Sequence, residues 1–370
     1  MRPARLLLGA ISPLALLVGS VATAGDVGAS NAPVKVLADG LSSPKGIDVS
    51  PEGDPVLGQG AFGPPGPVVV VPQHGPDRGE VIPLTDPFNL TDLAISPLDG
   101  TGWGIGPTEV EGEEHVLLYH ELADGTIVPV LDITLYQVGD PDPFDQDDFP
   151  EESNPYGLTI MPNGDALVSD AAGNDIIRVT PEGDAWTVAR FDLRVVSTDH
   201  LPPDFELEPG VPVPPELTAE AVPTTVTIGP DGAIYVGQLM GFPFRPGTSN
   251  IWRIEPDAMD ALCSTTTADP DCSVYLTGFT AIQDMDFNLN NGKLYVYELA
   301  AEGVLAFEAG FETGEWPDAV LLLVSKNGSR RELAAGQLSQ PGGVAVSHNG
   351  QVFVTDGMFT EGRLLRVSGG

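Results

Sequence analysis

The chain has 370 residues, 16 of them Lys or Arg against 53 Asp or Glu, for a formal net charge of −37. A field of that sign repels phosphate backbones, which excludes nucleic acid as a partner and leaves cations and cationic surfaces open. Its 44 Gly and 36 Pro are spread between apolar runs rather than pooled in a linker, which suits one all-β domain.

In chain order, residues 1–24 read as a signal peptide cleaved after Ala24. Arg2 and Arg5 give a basic start, Leu6 to Val18 a short apolar run, and Ala22-Thr23-Ala24 a small-x-small cleavage site. The run is too short to span a bilayer, and no later segment reaches about 20 apolar residues. No cysteine follows the cleavage point to carry a lipid. The expectation is an exported protein without a transmembrane segment, secreted or held in the periplasm or cell envelope. Residues 25–32 would be a short flexible lead and 33–370 the folded domain.

A short phrase then recurs six times: GIDVSPEG (46–53), LAISPLDG (93–100), GLTIMPNG (157–164), TVTIGPDG (225–232), MDFNLNNG (285–292) and GVAVSHNG (343–350). Repetition at this scale means copies of one supersecondary unit. Second alternating runs such as ALVSD (166–170) and QVFVTD (351–356) complete hairpins around the turn. Third runs follow, among them VVVVP (68–72), HVLLYH (115–120) and GRLLRV (362–367), then fourth runs such as EVIPLT (80–85) and RRELAAG (330–336). Four antiparallel strands per unit make a propeller blade. Six units have third strands but only five have a fourth; the missing one is VKVLAD (34–39), ahead of the first repeat. The expected fold is an all-β, six-bladed β-propeller whose N-terminal strand closes the last blade and removes an open sheet edge. Cys263 and Cys272, the only cysteines, flank a short loop in an oxidising compartment and are expected to form a disulfide.

The stretches ESNPYGLTIMPNGDALVSDAAGNDIIRVTPEG (152–183) and VPTTVTIGPDGAIYVGQLMGFPFRPG (222–247) resemble the ScyD/ScyE family. These are exported NHL-like, SMP-30-like propellers named after a scytonemin gene cluster in cyanobacteria. The resemblance spans essentially the whole mature chain and implies the fold and the export; the family supplies no agreed catalytic residues to carry over. Likeness at the level of fold extends to calcium-dependent lactonase and gluconolactonase propellers, which is analogy only.

Strand direction assigns the functional face. First strands running downward from a top rim bring the long insertions to that rim: an acidic loop at 133–153, a Pro-rich loop at 194–222, an aromatic loop at 239–249 and the segment 299–316. Aligned on the closing glycines, the channel mouth should carry Lys45, Asp92, Tyr156, Thr224, Asp284 and Gly342 from the first strands. Gln59, Gly106, Asp170, Gln238, Glu298 and Asp356 should face them from the ends of the second strands. Converging carboxylates suit Ca²⁺, with Asp92 and Asp284 the metal candidates because they open innermost strands. They suit equally an acid–base pair. Asp170 and Asp356 read instead as acceptors for backbone N–H groups of the adjoining turn. Neither set has the asparagines that lactonase propellers bring to their metal.

Phe242 and Phe244 beside Arg245 form a further candidate, an apolar lid with an anion handle. The acidic run 140–152 lacks EF-hand spacing, the five histidines are scattered, and no GxSxG or HExxH motif occurs. Three functions stay open: a monomeric propeller binding a small molecule or exported protein at the mouth; a hydrolase or isomerase, lactonase-like, with or without Ca²⁺; and an envelope interaction protein.

Overall fold

The computed structural model describes residues 28–30, 33–146, 148–208 and 210–368; the signal peptide expected at 1–24 lies outside them. Each repeat phrase folds as the inner hairpin of a blade because its closing glycine sits at positive φ, between 69° and 94°, where a side chain would be strained. Blade 1 consists of Ile47–Val49, Pro55–Leu57, Val69–Val70 and Ile82–Pro83. Blade 2 comprises Asp92–Ile95, Gly102–Val110, Glu113–Glu121 and Ile127–Asp132. Blade 3 uses Pro155–Ile160, Ala166–Asp170, Asp175–Val179 and Ala185–Phe191, and blade 4 uses Pro223–Ile228, Ile234–Gln238, Ser249–Ile254 and Cys272–Phe279. Blade 5 uses Ile282–Asn288, Lys293–Glu298, Val320–Val324 and Arg330–Leu333.

Blade 6 closes the ring as expected. Pro341–Val346, Val352–Asp356 and Glu361–Val367 take Val34–Ser42 as their outermost strand, with Val34 opposite Val367. Two blades gain a fifth, parallel strand: Ala261–Cys263 beside blade 3 and Gly28–Ser30 beside blade 5. The Cys263–Cys272 disulfide is present, and it joins the added strand of blade 3 to the outer strand of blade 4.

The top insertions acquire structure of their own. Residues 133–153 begin with helix α1 (Ile133–Gly139), N-capped by Asp132, which accepts the Leu135 N–H. Residues 194–222 form two small hairpins, Arg194–Ser197 with Glu216–Ala219 and Glu206–Glu208 with Val211–Pro212. Residues 299–316 contain helix α2 (Val304–Thr313). Among the described residues no helix is long and apolar enough to cross a membrane. Each pair of neighbouring blades encloses its own apolar core, which is how a ring of this size stays folded without one central core.

Candidate functional site

The inner strands meet around the axis, and their register differs from a count back from the glycines. In blades 1, 3, 4 and 6 the closing glycine N–H bonds three residues back, as Gly164 does to Met161 O. In blades 2 and 5 it bonds four back, Gly100 to Ser96 O and Gly292 to Asn288 O, so these turns are one residue longer. Asp92 and Asp284 therefore stand level with Gly46 and Gly157 rather than with Lys45 and Tyr156. Gln283 takes the place in blade 5 that the count assigned to Asp284.

That place is a β-bulge. The strand registers shift across Tyr156, Thr224 and Gln283, and the bulge turns these side chains toward the mouth. Lys45 Nζ donates to Tyr156 O at 2.6 Å and lies 3.9 Å from the centre of the Tyr156 ring. Tyr156 Oη and the Gln283 amide are 2.9–3.1 Å apart. Blades 1, 3 and 5 are thus tied across the axis, and the mouth is plugged by its own side chains. Thr224 Oγ1 donates to Ile282 O at 2.6 Å and binds blade 4 to blade 5.

Below the plug, carboxylates clasp neighbouring blades. Asp92 accepts the N–H groups of Leu93 and, in blade 3, Leu158, both at 2.9 Å. Asp284 accepts from Met285 (2.8 Å), from Thr225 Oγ1 (2.7 Å) and from Val344 N in blade 6 (2.7 Å). Asp48 and Asp286 repeat the pattern one step down, toward Ile95 and Val346. Burial pushes these carboxyls up, Asp48 to about 6 and Asp92 to about 7, while the backbone donors, and for Asp92 the Lys45 charge, oppose the rise. Asp284 and Asp286 rise for the same reason. Burial lowers Lys45, and the attraction of Asp92 and Asp284 counters it. All four oxygens of Asp92 and Asp284 thus face protein donors, with an ammonium beside them, a poor fit to Ca²⁺. Among the described residues no group of three or more His, Cys, Asp or Glu could hold a metal.

The second-strand set does not join this cluster. Its members hold the segment entering their own blade: Gln59 accepts Ser42 N, Asp170 accepts Asn154 N, Glu298 accepts Thr280 N, and Asp356 accepts Ser339 N and Gln340 N. Asp170 also takes Ala172 N and Gly173 N of the following turn. Gln238 accepts from Trp252 Nε1 at 2.5 Å. Glu298 is raised to about 7 by burial.

Above the plug lies an aromatic surface that only its Phe242 edge announced in the sequence. Phe307 and Phe311 of α2 meet Trp316 and Phe359 in all six pairings, with centroids 4.7–6.1 Å apart. Phe62 stacks on Phe359 at 4.6 Å. Met358 links this layer to the plug, lying 3.6 Å from the Gln283 amide. Phe311 and Phe62 keep 45% and 39% of their surface exposed. Phe242 packs on Phe205 and Phe244, and Arg245 pairs with Asp199, so the anion handle is already occupied. Glu308 on α2 is half-buried with no polar partner among the described residues, and burial alone raises it to about 7. The signal missed in the sequence was the spacing of Val304, Phe307 and Phe311, one apolar helix face inside what read as a loop.

No family model and no curated protein sequence matches this chain. Solved structures do. A putative oxidoreductase (glucose dehydrogenase) from Thermus thermophilus aligns over 91% of this chain and 100% of its own at 16% identity, TM-score 0.53. A glucose dehydrogenase aligns over the same shares at 12% identity, TM-score 0.55. The soluble aldose sugar dehydrogenase from Escherichia coli, in its apo form, aligns over 91% of this chain and 99% of its own at 14% identity, TM-score 0.54. At these identities the likeness is one of fold: the chain shares its propeller fold with these proteins.

Proposed function

We propose that this chain is an exported binding propeller of the ScyD/ScyE kind, whose ligand is a small apolar or aromatic molecule held on the aromatic surface of the top face. The observation that carries this reading is the exposure of Phe311 and Phe62 on a packed group of rings, in a protein whose surface is otherwise strongly acidic. The channel itself supports it by exclusion, since its mouth is plugged and its carboxylates clasp blades. One observation favours an enzyme instead. Glu308 is an unpartnered carboxyl, raised by burial to about 7, on the helix that carries two of these rings, suited to general-base work on a sugar or lactone.

Trp316 reports on both readings. Titration with a panel of aromatic compounds should change its fluorescence saturably, and Phe62→Ala/Phe311→Ala should weaken binding at least about tenfold, the loss of one ring contact or more. Unchanged affinity in the double variant would overturn the binding reading. Turnover of a sugar or lactone panel, abolished by Glu308→Gln, would install the enzymatic one.

A further inference from the structure

We propose that the seam between blades 1 and 2 is a second binding site, for a neutral apolar small molecule or the apolar limb of a larger one. A cavity of about 80 Å³ runs there between the inner strand of blade 2 and the perimeter, lined by Val56, Val68, Phe88, Leu90, Leu93 and Ile127. Its origin is in the sequence TGWGIG (101–106). Along this second strand of blade 2, Trp103 and Ile105 pack into the core shared with blade 3. The alternate positions facing blade 1 are Gly102 and Gly104, which send no side chain into the seam. Blade 1 cannot compensate, because its strands are only two or three residues long. Among the described residues three side chains, Val56, Leu90 and Leu93, make up the fully buried core of this seam; the other five seams have nine to sixteen.

The chemistry of the lining sets the ligand class. Polar atoms at the rim are partly engaged by the protein: Thr85 Oγ1 accepts Val68 N–H (3.0 Å) and donates to Asp86 O (2.9 Å), and Glu121 Oε2 accepts Gly102 N–H (3.2 Å). The deep wall, formed by Val56, Val68, Leu90 and Leu93, is apolar, and apolar cavities take small hydrocarbons. Leu84 and Ile127, 55% and 40% exposed, carry the apolar lining out to the perimeter for a ligand longer than the cavity. Glu121 at the rim and the net charge of −37 oppose an anionic head group, so a fatty carboxylate is the wrong occupant.

The test uses the intact chain with toluene, 1-octanol and octanoate as a neutral ring, a neutral chain and an anionic chain. Toluene or octanol should raise the melting midpoint in step with the logarithm of its concentration, and octanoate should not. Crystals pressurised with xenon should show a site between Val56, Leu90 and Leu93. Val68→Phe fills the cavity from blade 1, and should melt at or above the wild-type midpoint while losing the ligand shift. Should that variant fail to fold, Gly102→Val fills it from the other wall, where a Cβ meets the Glu121 side chain, its carboxylate oxygen at 3.0 Å and its Cβ at 3.9 Å. An empty seam under xenon, or an equal toluene shift in the filled variant, overturns the site. An octanoate shift as large as that of octanol overturns the ligand class.

Discussion

The seam between blades 3 and 4 and the seam between blades 1 and 2 are built from the same repeat, yet one is the firmest part of the ring and the other the loosest. Between blades 3 and 4, Trp252, Phe191, Leu167 and Ile234 interdigitate with almost no exposure, and the added strand Ala261–Cys263 and the disulfide join the two blades at the perimeter. Between blades 1 and 2 the core is thin, and Asp48 clasps the inner end by accepting Ile95 N–H at 2.7 Å. The difference shows what the phrase does and does not determine. It places an inner hairpin and its axial contacts, whereas the third and fourth strands decide how much apolar surface a seam buries.

The contrast can be broken most directly by truncation. Trp252→Ala removes a 1%-exposed ring and leaves Gln238 without its indole partner, and should cost about 3–5 kcal/mol in urea unfolding. Leu84→Ala, at the rim of the loose seam, should stay within about 0.5 kcal/mol. Next in size, Cys263→Ser with Cys272→Ser opens a loop of sequence separation 9 and should cost roughly 2–3 kcal/mol, with the loss confined to blades 3 and 4 in hydrogen exchange.

The last effect is a pH dependence. Asp48 and Asp92 are raised in the folded state, to about 6 and about 7, above the ordinary carboxyl value, so the fold binds their protons more tightly than the unfolded chain does. Their contribution is fully present below about pH 4 and is lost as pH rises through 6 to 7. The melting midpoint should therefore be higher at pH 5 than at pH 8, and Asp48→Asn should flatten that slope. A midpoint that climbs from pH 5 to pH 8 would contradict the buried setting of these groups.

Much of the architecture was legible because it rests on local rules. Alternation around a Gly-closed turn specifies a hairpin, and counting strands exposed Val34–Ser42 as the closing strand. The axial cluster was legible in part: Lys45, Asp92, Tyr156 and Asp284 do come together. Gln283 was hidden because SPLDG and NLNNG close their turns one residue later than SPEG and MPNG, a choice of hydrogen bond that the glycine does not encode. The aromatic surface was hidden for a different reason. Helix α2 starts at Gly303 with no side-chain cap, and its rings find a partner more than 40 residues further on, at Phe359, which in turn stacks on Phe62 from the start of the chain.

The closing strand has a kinetic consequence. Blade 6 cannot be completed until Val34–Ser42 meets Glu361–Val367, and bonds such as Thr355 Oγ1 to Lys45 O join residues 310 apart. Contacts of such sequence separation form late, because the loop they close must be ordered first. Until then Glu361–Val367 offers a bare edge that the same segment of a second molecule fits equally well. Refolding at high concentration accordingly favours strand-exchanged dimers, and dilution favours the closed ring.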